Sequence, residues 1–106
     1  MFEVYEISKQ AVRGLRPLVA TVQVHDRDLA RQMRRAGSST LLNIAEGWRR
    51  LGRDRRQHYV IAAGSNAEVR AALDVCDALG YLDPKSYAEL DALLDRVSAM
   101  LYRLTH

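Results

Sequence analysis

The chain has 106 residues, a size that suits one domain with a continuous core and leaves no room for two independent ones. Two prolines, six glycines and one cysteine, with 48% hydrophobic residues, favour an all-helical fold and exclude an internal disulfide or a cysteine metal cluster. The formal charge is +3, no apolar run nears the ~20 residues that span a bilayer, and the first residues lack the basic-then-apolar layout of a signal peptide, so a cytoplasmic protein is expected, with no membrane partner.

Apolar periodicity predicts four helices. The first covers about residues 3–23, with Val4, Tyr5, Val12, Leu15, Leu18, Val19 and Val22 near one face. Pro17 removes an intrahelical hydrogen bond and is expected to kink or split it. The second runs from about 27 to 46 through Leu29, Met33, Ala36, Thr40 or Leu41, Ile44 and then Trp48. Asp26 is its expected N-cap, and Gly47 its expected left-handed C-terminal residue.

The third helix, about 54–79, begins with Asp54 and Gln57 in a capping-box arrangement and ends at Gly80. Its stripe is Tyr59, Ala62, Asn66, Val69, Leu73 and Cys76, a four-three alternation interrupted only by the polarity of Asn66. Cys76 falls on that stripe and reads as a small buried hydrophobe. The fourth, about 84–104, opens with Asp83-Pro84 and a Leu82/Tyr87 staple, then continues through Leu90, Leu94, Val97, Leu101 and Leu104. Short connections between such helices predict an antiparallel up-down-up-down four-helix bundle spanning residues 1–106 as a single domain.

Gly37, Ser38 and Ser39 stand mid-helix, where each lowers propensity relative to alanine by a few tenths to ~1 kcal/mol. A tertiary role must favour them. If helices two and three form a hairpin about residue 50, partners carry numbers that total about 101, because both helices rise ~1.5 Å per residue. Gly37 then faces Gly64, with Ser65 and its neighbours opposite Ala36 to Ser39, a close backbone crossing that leucine at either glycine is expected to wedge apart. The same register brings Glu68 within reach of Arg34 or Arg35, and Glu46 near Arg55 and Arg56. These pairs, with buried Asn66, are read as devices that fix register.

At these residues a family is recognisable. Arg34-Arg35-Ala36, Ser39, Asn43-Ile44-Ala45-Glu46-Gly47 with Arg50, then Ile61-Ala62, Gly64-Ser65, Glu68 and Leu79-Gly80-Tyr81 resemble the four-helix-bundle proteins associated with intervening sequences in 23S ribosomal RNA. That family includes the accessory variability determinant of bacterial diversity-generating retroelements. The resemblance is clear over about residues 28–82. It implies a four-helix protomer, a ring-shaped homopentamer, and association with nucleic acid or a reverse transcriptase through a basic surface. Thr40, Leu41, Asn66 and the segment His25-Asp26-Arg27-Asp28 depart from the family's usual pattern.

Charge is polarised along the chain. Residues 27–56 hold nine arginines against Asp28, Glu46 and Asp54, whereas residues 57–106 hold more acidic than basic side chains. Arg49, Arg50, Arg53, Arg55 and Arg56 cluster on the turn between helices two and three beside Trp48. That cluster offers phosphate contacts and a stacking platform for RNA or DNA. It equally describes a solvated loop with Trp48 packed into the bundle, or a basic face that docks an acidic protein surface, since arginine and tryptophan are also hot-spot residues.

A second stripe on helix three, Ile61, Ser65, Ala72, Val75 and Leu79, either faces a neighbouring subunit or broadens the core. Catalysis has little to stand on. There is no Glu-x-x-His pair for a di-iron bundle, His25, His58 and His106 lack metal-motif spacing, and no glycine loop suits a phosphate. A non-enzymatic protein with no catalytic residue, metal or cofactor is expected.

Overall fold

A computed structural model describes residues 2–106 as four helices: α1 (Glu3–His25), α2 (Arg27–Trp48), α3 (Gly52–Ala78) and α4 (Pro84–Thr105). They run up, down, up and down in a bundle of 42 × 23 × 21 Å, each packed against its sequence neighbours, with α1 closing against α4.

Local chemistry accounts for most boundaries. Asp26 alone separates the first two helices: its N–H donates to Val22 O at 2.8 Å, closing α1, while its Oδ1 accepts from Leu29 N at 2.9 Å, opening α2. Asp83 caps α4 through Ser86 N at 2.9 Å and Ser86 Oγ at 2.7 Å. The backbone and hydroxyl donors of Ser86 hold its carboxyl below the usual aspartate range. Gly80 ends α3 at φ +75°, with Tyr81 N donating to Cys76 O at 2.8 Å and Gly80 N to Asp77 O at 3.1 Å.

Two expectations about boundaries fail, and of the kink or split expected at Pro17 the split does not occur. Pro17 does not split α1, which is continuous from Glu3 to His25. The proline is exposed, so its ring displaces no core side chain, and one missing hydrogen bond is outweighed by the buried face on either side. The capping box at Asp54 and Gln57 is absent: α3 starts two residues earlier, after an uncapped Leu51, and Asp54 accepts from Arg50 instead. Gly47 is neither left-handed nor beyond the helix. It lies buried inside α2, and a Cβ there would sit 2.6 Å from Cε1 and 2.8 Å from Cδ1 of Tyr59, so the glycine makes room for a ring. The left-handed residue near this turn is Gly52, at φ +56°.

The core has two apolar lobes. One gathers Leu15, Val22, Met33, Leu73, Cys76, Leu90 and Leu94, and the other Val4, Ile7, Ile44, Tyr59, Ala62, Val97 and Leu101. Every residue of the α3 stripe is buried, Asn66 and Cys76 included, and burial raises the thiol pKa. In α2 the stripe takes Thr40, with Leu41 only partly buried; in α4 it takes Thr105 in place of the half-exposed Leu104, four residues on from Leu101 rather than three.

Ser8, Thr40 and Asn66 are buried and line a cavity of about 10 Å³ with Gly37 and Leu15. Thr40 donates to Ala36 O at 2.9 Å and Asn66 Nδ2 to Leu94 O at 3.0 Å. Among the described residues no buried side-chain polar atom lacks a partner. The polar side chains in α2 are thus absorbed locally, Ser38 also donating back to Arg34 O at 2.9 Å.

The predicted glycine crossing does not exist. A Cβ on Gly64 would meet nothing within 4 Å, and Gly37 faces α1 instead, its Cβ position 2.8 Å from Leu15 Cδ2. The hairpin register is close to that predicted, for Asn43 Oδ1 lies 3.1 Å from His58 Nδ1 and the Ser39 and Ser65 hydroxyls are 2.8 Å apart. The rotation of each helix about its axis is what differs.

Candidate nucleic-acid interface

The five arginines of the α2–α3 turn divide by what they touch. Arg50 bridges two carboxylates along the turn, Nε to Glu46 Oε2 at 2.9 Å and Nη1 to Asp54 Oδ2 at 2.8 Å. Its hydrogen bond holds Glu46 below the usual glutamate range, and the two carboxylates raise the guanidinium. Arg55 folds over the end of α2, donating to Gly47 O at 3.0 Å and Trp48 O at 2.8 Å, with its guanidinium carbon 5.7 Å from the Trp48 ring centre. Arg56 reaches the end of α4 and donates to Thr105 O at 3.1 Å. Arg49 and Arg53 are exposed, and among the described residues neither has a carboxylate within ion-pair distance.

The expected pairing of Glu46 with Arg55 and Arg56 is therefore replaced. The two arginines instead donate to backbone carbonyls at helix ends, Arg55 to Gly47 O and Trp48 O and Arg56 to Thr105 O, where an exposed ion pair with Glu46 would add little. Nor does Glu68 pair with Arg34 or Arg35. Arg35 and Glu68 line one polar groove of about 350 Å³ with Gln32, Ala36, Ser39 and Ser65, with no salt bridge between them. Asn43 is drawn inward, donating to Ser39 O at 2.9 Å and meeting His58 on the α3 side.

Trp48 is both packed and accessible. It stacks on Phe2 with ring centres 4.2 Å apart and planes 16° off parallel, yet remains 46% exposed. Tyr102, absent from the sequence reading, and His106, weighed there only as a metal ligand, add a second stacked pair at 4.0 Å at the same end of the bundle, tied to the turn through Arg56 and Thr105. The available signal was their four-residue spacing on one helix face. His25 stacks on Tyr81 at 4.7 Å, at the opposite end, and among the described residues no three His, Cys, Asp or Glu side chains converge on a metal position. Among the described residues no helix is long and apolar enough to cross a membrane.

Comparison with known proteins bears on what this bundle is. The sequence model for "23S rRNA-intervening sequence protein" matches residues 2–103. The chain belongs to that family. The match takes in all four helices, beyond the span that the recognisable motifs covered. A crystal structure of a protein of unknown function from the S23 ribosomal protein family of Bacteroides thetaiotaomicron VPI-5482 superposes with a TM-score of 0.87, at 19% identity, over 97% of this chain and 98% of the other. That likeness fixes the fold. No curated protein matches the chain significantly.

Proposed function

We propose that this chain is a non-enzymatic, cytoplasmic, self-associating protein that binds nucleic acid, RNA in preference to DNA, through the end of the bundle bearing Arg49, Arg53 and Trp48. The observation that carries the reading is the pair of guanidiniums left without carboxylates beside a half-exposed indole, while Arg50, Arg55 and Arg56 spend their donors on the fold. Free guanidiniums suit phosphate, and aromatic faces suit unpaired bases. The family's link to 23S rRNA supports RNA. Self-association is supported by the half-exposed Ile61 and Val75 on α3 and Leu79 at its C-cap, and the family resemblance implies a pentameric ring.

Fluorescence anisotropy with a labelled 20-nucleotide single-stranded RNA, titrated across salt, tests the interface. The double variant R49A/R53A is expected to bind more weakly and to flatten the log K against log salt slope by about 1.4, roughly 0.7 for each phosphate no longer neutralised. No binding by the wild-type chain at low salt, or an unchanged slope in the variant, overturns it. Leu51 at 79% exposure favours a second reading, in which this end docks a protein such as a reverse transcriptase. A binding defect in L51D confined to a protein partner would favour that alternative.

A further inference from the structure

A second basic surface lies away from the turn, in the groove between α1 and α2. Arg27, Arg31 and Arg34 follow one another along the outer side of α2 and, with Gln23 of α1, line a depression of about 460 Å³. A neighbouring depression of about 320 Å³ shares Gln23 and Arg34, adds Arg16, and has an apolar floor that includes Val12, Val19 and Ala20. The shared residues make the two one groove.

Its charge is almost entirely of one sign. Arg31 is neutralised by Asp28 at 2.8 Å, the one carboxylate in the lining, and that contact is exposed. Arg16, Arg27 and Arg34 are exposed and, among the described residues, take part in no ion pair. Three exposed guanidiniums around one depression, with Asp28 the one carboxylate in its lining, leave the rim open to an anionic partner.

We propose that this groove is a second phosphate-binding surface, occupied by a single-stranded segment of nucleic acid. This rests on the nucleic-acid reading above and extends it to a separate face. The rim supplies guanidiniums for phosphates and planes on which bases stack, and the apolar floor accepts base faces that a duplex keeps hidden. From Arg27 to Arg34 the helix rises roughly 10 Å, the axial length of about three stacked nucleotides. Arg34 and Arg49 are fifteen residues apart on α2 and its C-cap, roughly 22 Å along the axis, so groove and turn are distinct contacts that one longer strand can join.

The test compares wild type, R16A/R27A/R34A and R49A/R53A with the same labelled 20-nucleotide RNA, thermal melts confirming that each variant folds. The groove variant is expected to lose roughly tenfold or more in affinity and to flatten the salt slope by about 2. An unlabelled duplex of equal length is expected to compete less well than the single strand, and a poly-glutamate peptide of equal charge less well than either. Unchanged affinity and slope in the groove variant, with weakened binding by R49A/R53A, overturns the groove and leaves the turn standing. The reverse pattern upholds the groove and removes the turn. A wild-type chain that binds neither RNA overturns both, and a duplex or poly-glutamate that competes as well as the single strand overturns the single-strand assignment.

Discussion

Adding one methyl group at two glycines should shift stability in opposite directions. Gly64 is exposed in the middle of α3 with nothing within 4 Å of its would-be Cβ. Gly64→Ala therefore keeps only the gain in helix propensity and the reduced freedom of the unfolded chain, about 0.5–1 kcal/mol. For a domain of this size that raises Tm by roughly 2–8 °C. Gly47→Ala gains the same propensity term, but its Cβ falls 2.6 Å from the ring of Tyr59, a residue only 3% exposed, and 3.3 Å from the Arg55 carbonyl. The ring must move by about 1 Å, and overpacking of that kind costs about 1–3 kcal/mol, which outweighs the gain. The net change is a loss of up to about 2 kcal/mol. Circular-dichroism melts and urea midpoints measured side by side read both. A Gly47→Ala chain as stable as Gly64→Ala would refute the packing argument. A Gly64→Ala chain that melts below wild type would show that a second chain covers this bare stretch of α3.

Two further outcomes follow from buried and hydrogen-bonded groups. Asn66→Asp puts a carboxyl, at 2% exposure, against the Leu94 carbonyl, and its charged form has no partner there, at a cost of about 3–5 kcal/mol near pH 7. The folded pKa is raised above the unfolded value near ~3.9, so stability relative to wild type is present below that value and lost as pH rises through the folded pKa; a urea-midpoint gap that stays constant from pH 4 to 7 would contradict it. Tyr87 donates to Asp74 Oδ1 at 2.7 Å, which pushes its phenol up to about 12. Its contribution to stability is full below ~10 and lost as pH rises through the folded value; ultraviolet titration should show one late-ionising, partly buried tyrosine return toward its ordinary range in D74A and disappear in Y87F.

Features governed by local chemistry were legible in the sequence. Asp26 and Asp83 act on donors three residues away, and Gly80 supplies a backbone conformation that its own lack of Cβ permits. The α3 stripe was legible because four-three spacing keeps one face inward over the whole helix. Rotation was not. Axial register placed Asn43 against His58, but each residue turns the helix by about 100°, so Gly37 points at α1 while Gly64 points to solvent. Gly47 has two uses that sequence cannot separate, and the deciding ring belongs to another helix. In the candidate site, the arginine cluster was visible as composition. Its division was hidden because Arg55 and Arg56 bond to carbonyl oxygens, which carry no side-chain identity. The α1–α2 groove was missed for a related reason: Arg16 joins Arg27 and Arg34 only once two helices are side by side.

The order in which the helices pack governs how the chain reaches this state. Each of α2, α3 and α4 lies against the helix that precedes it, so most of the packing closes short loops, and a chain of this topology is expected to fold in microseconds to milliseconds. The long closure is α1 against α4, where Val4 and Ile7 meet Val97 and Leu101 in one apolar lobe. Its entropy cost is smallest once the α2–α3 hairpin and the Asp26 junction have already drawn the two outer helices together. The last event is then expected to be a zipping of the outer pair, in which the first and last helices become neighbours because the middle two already are.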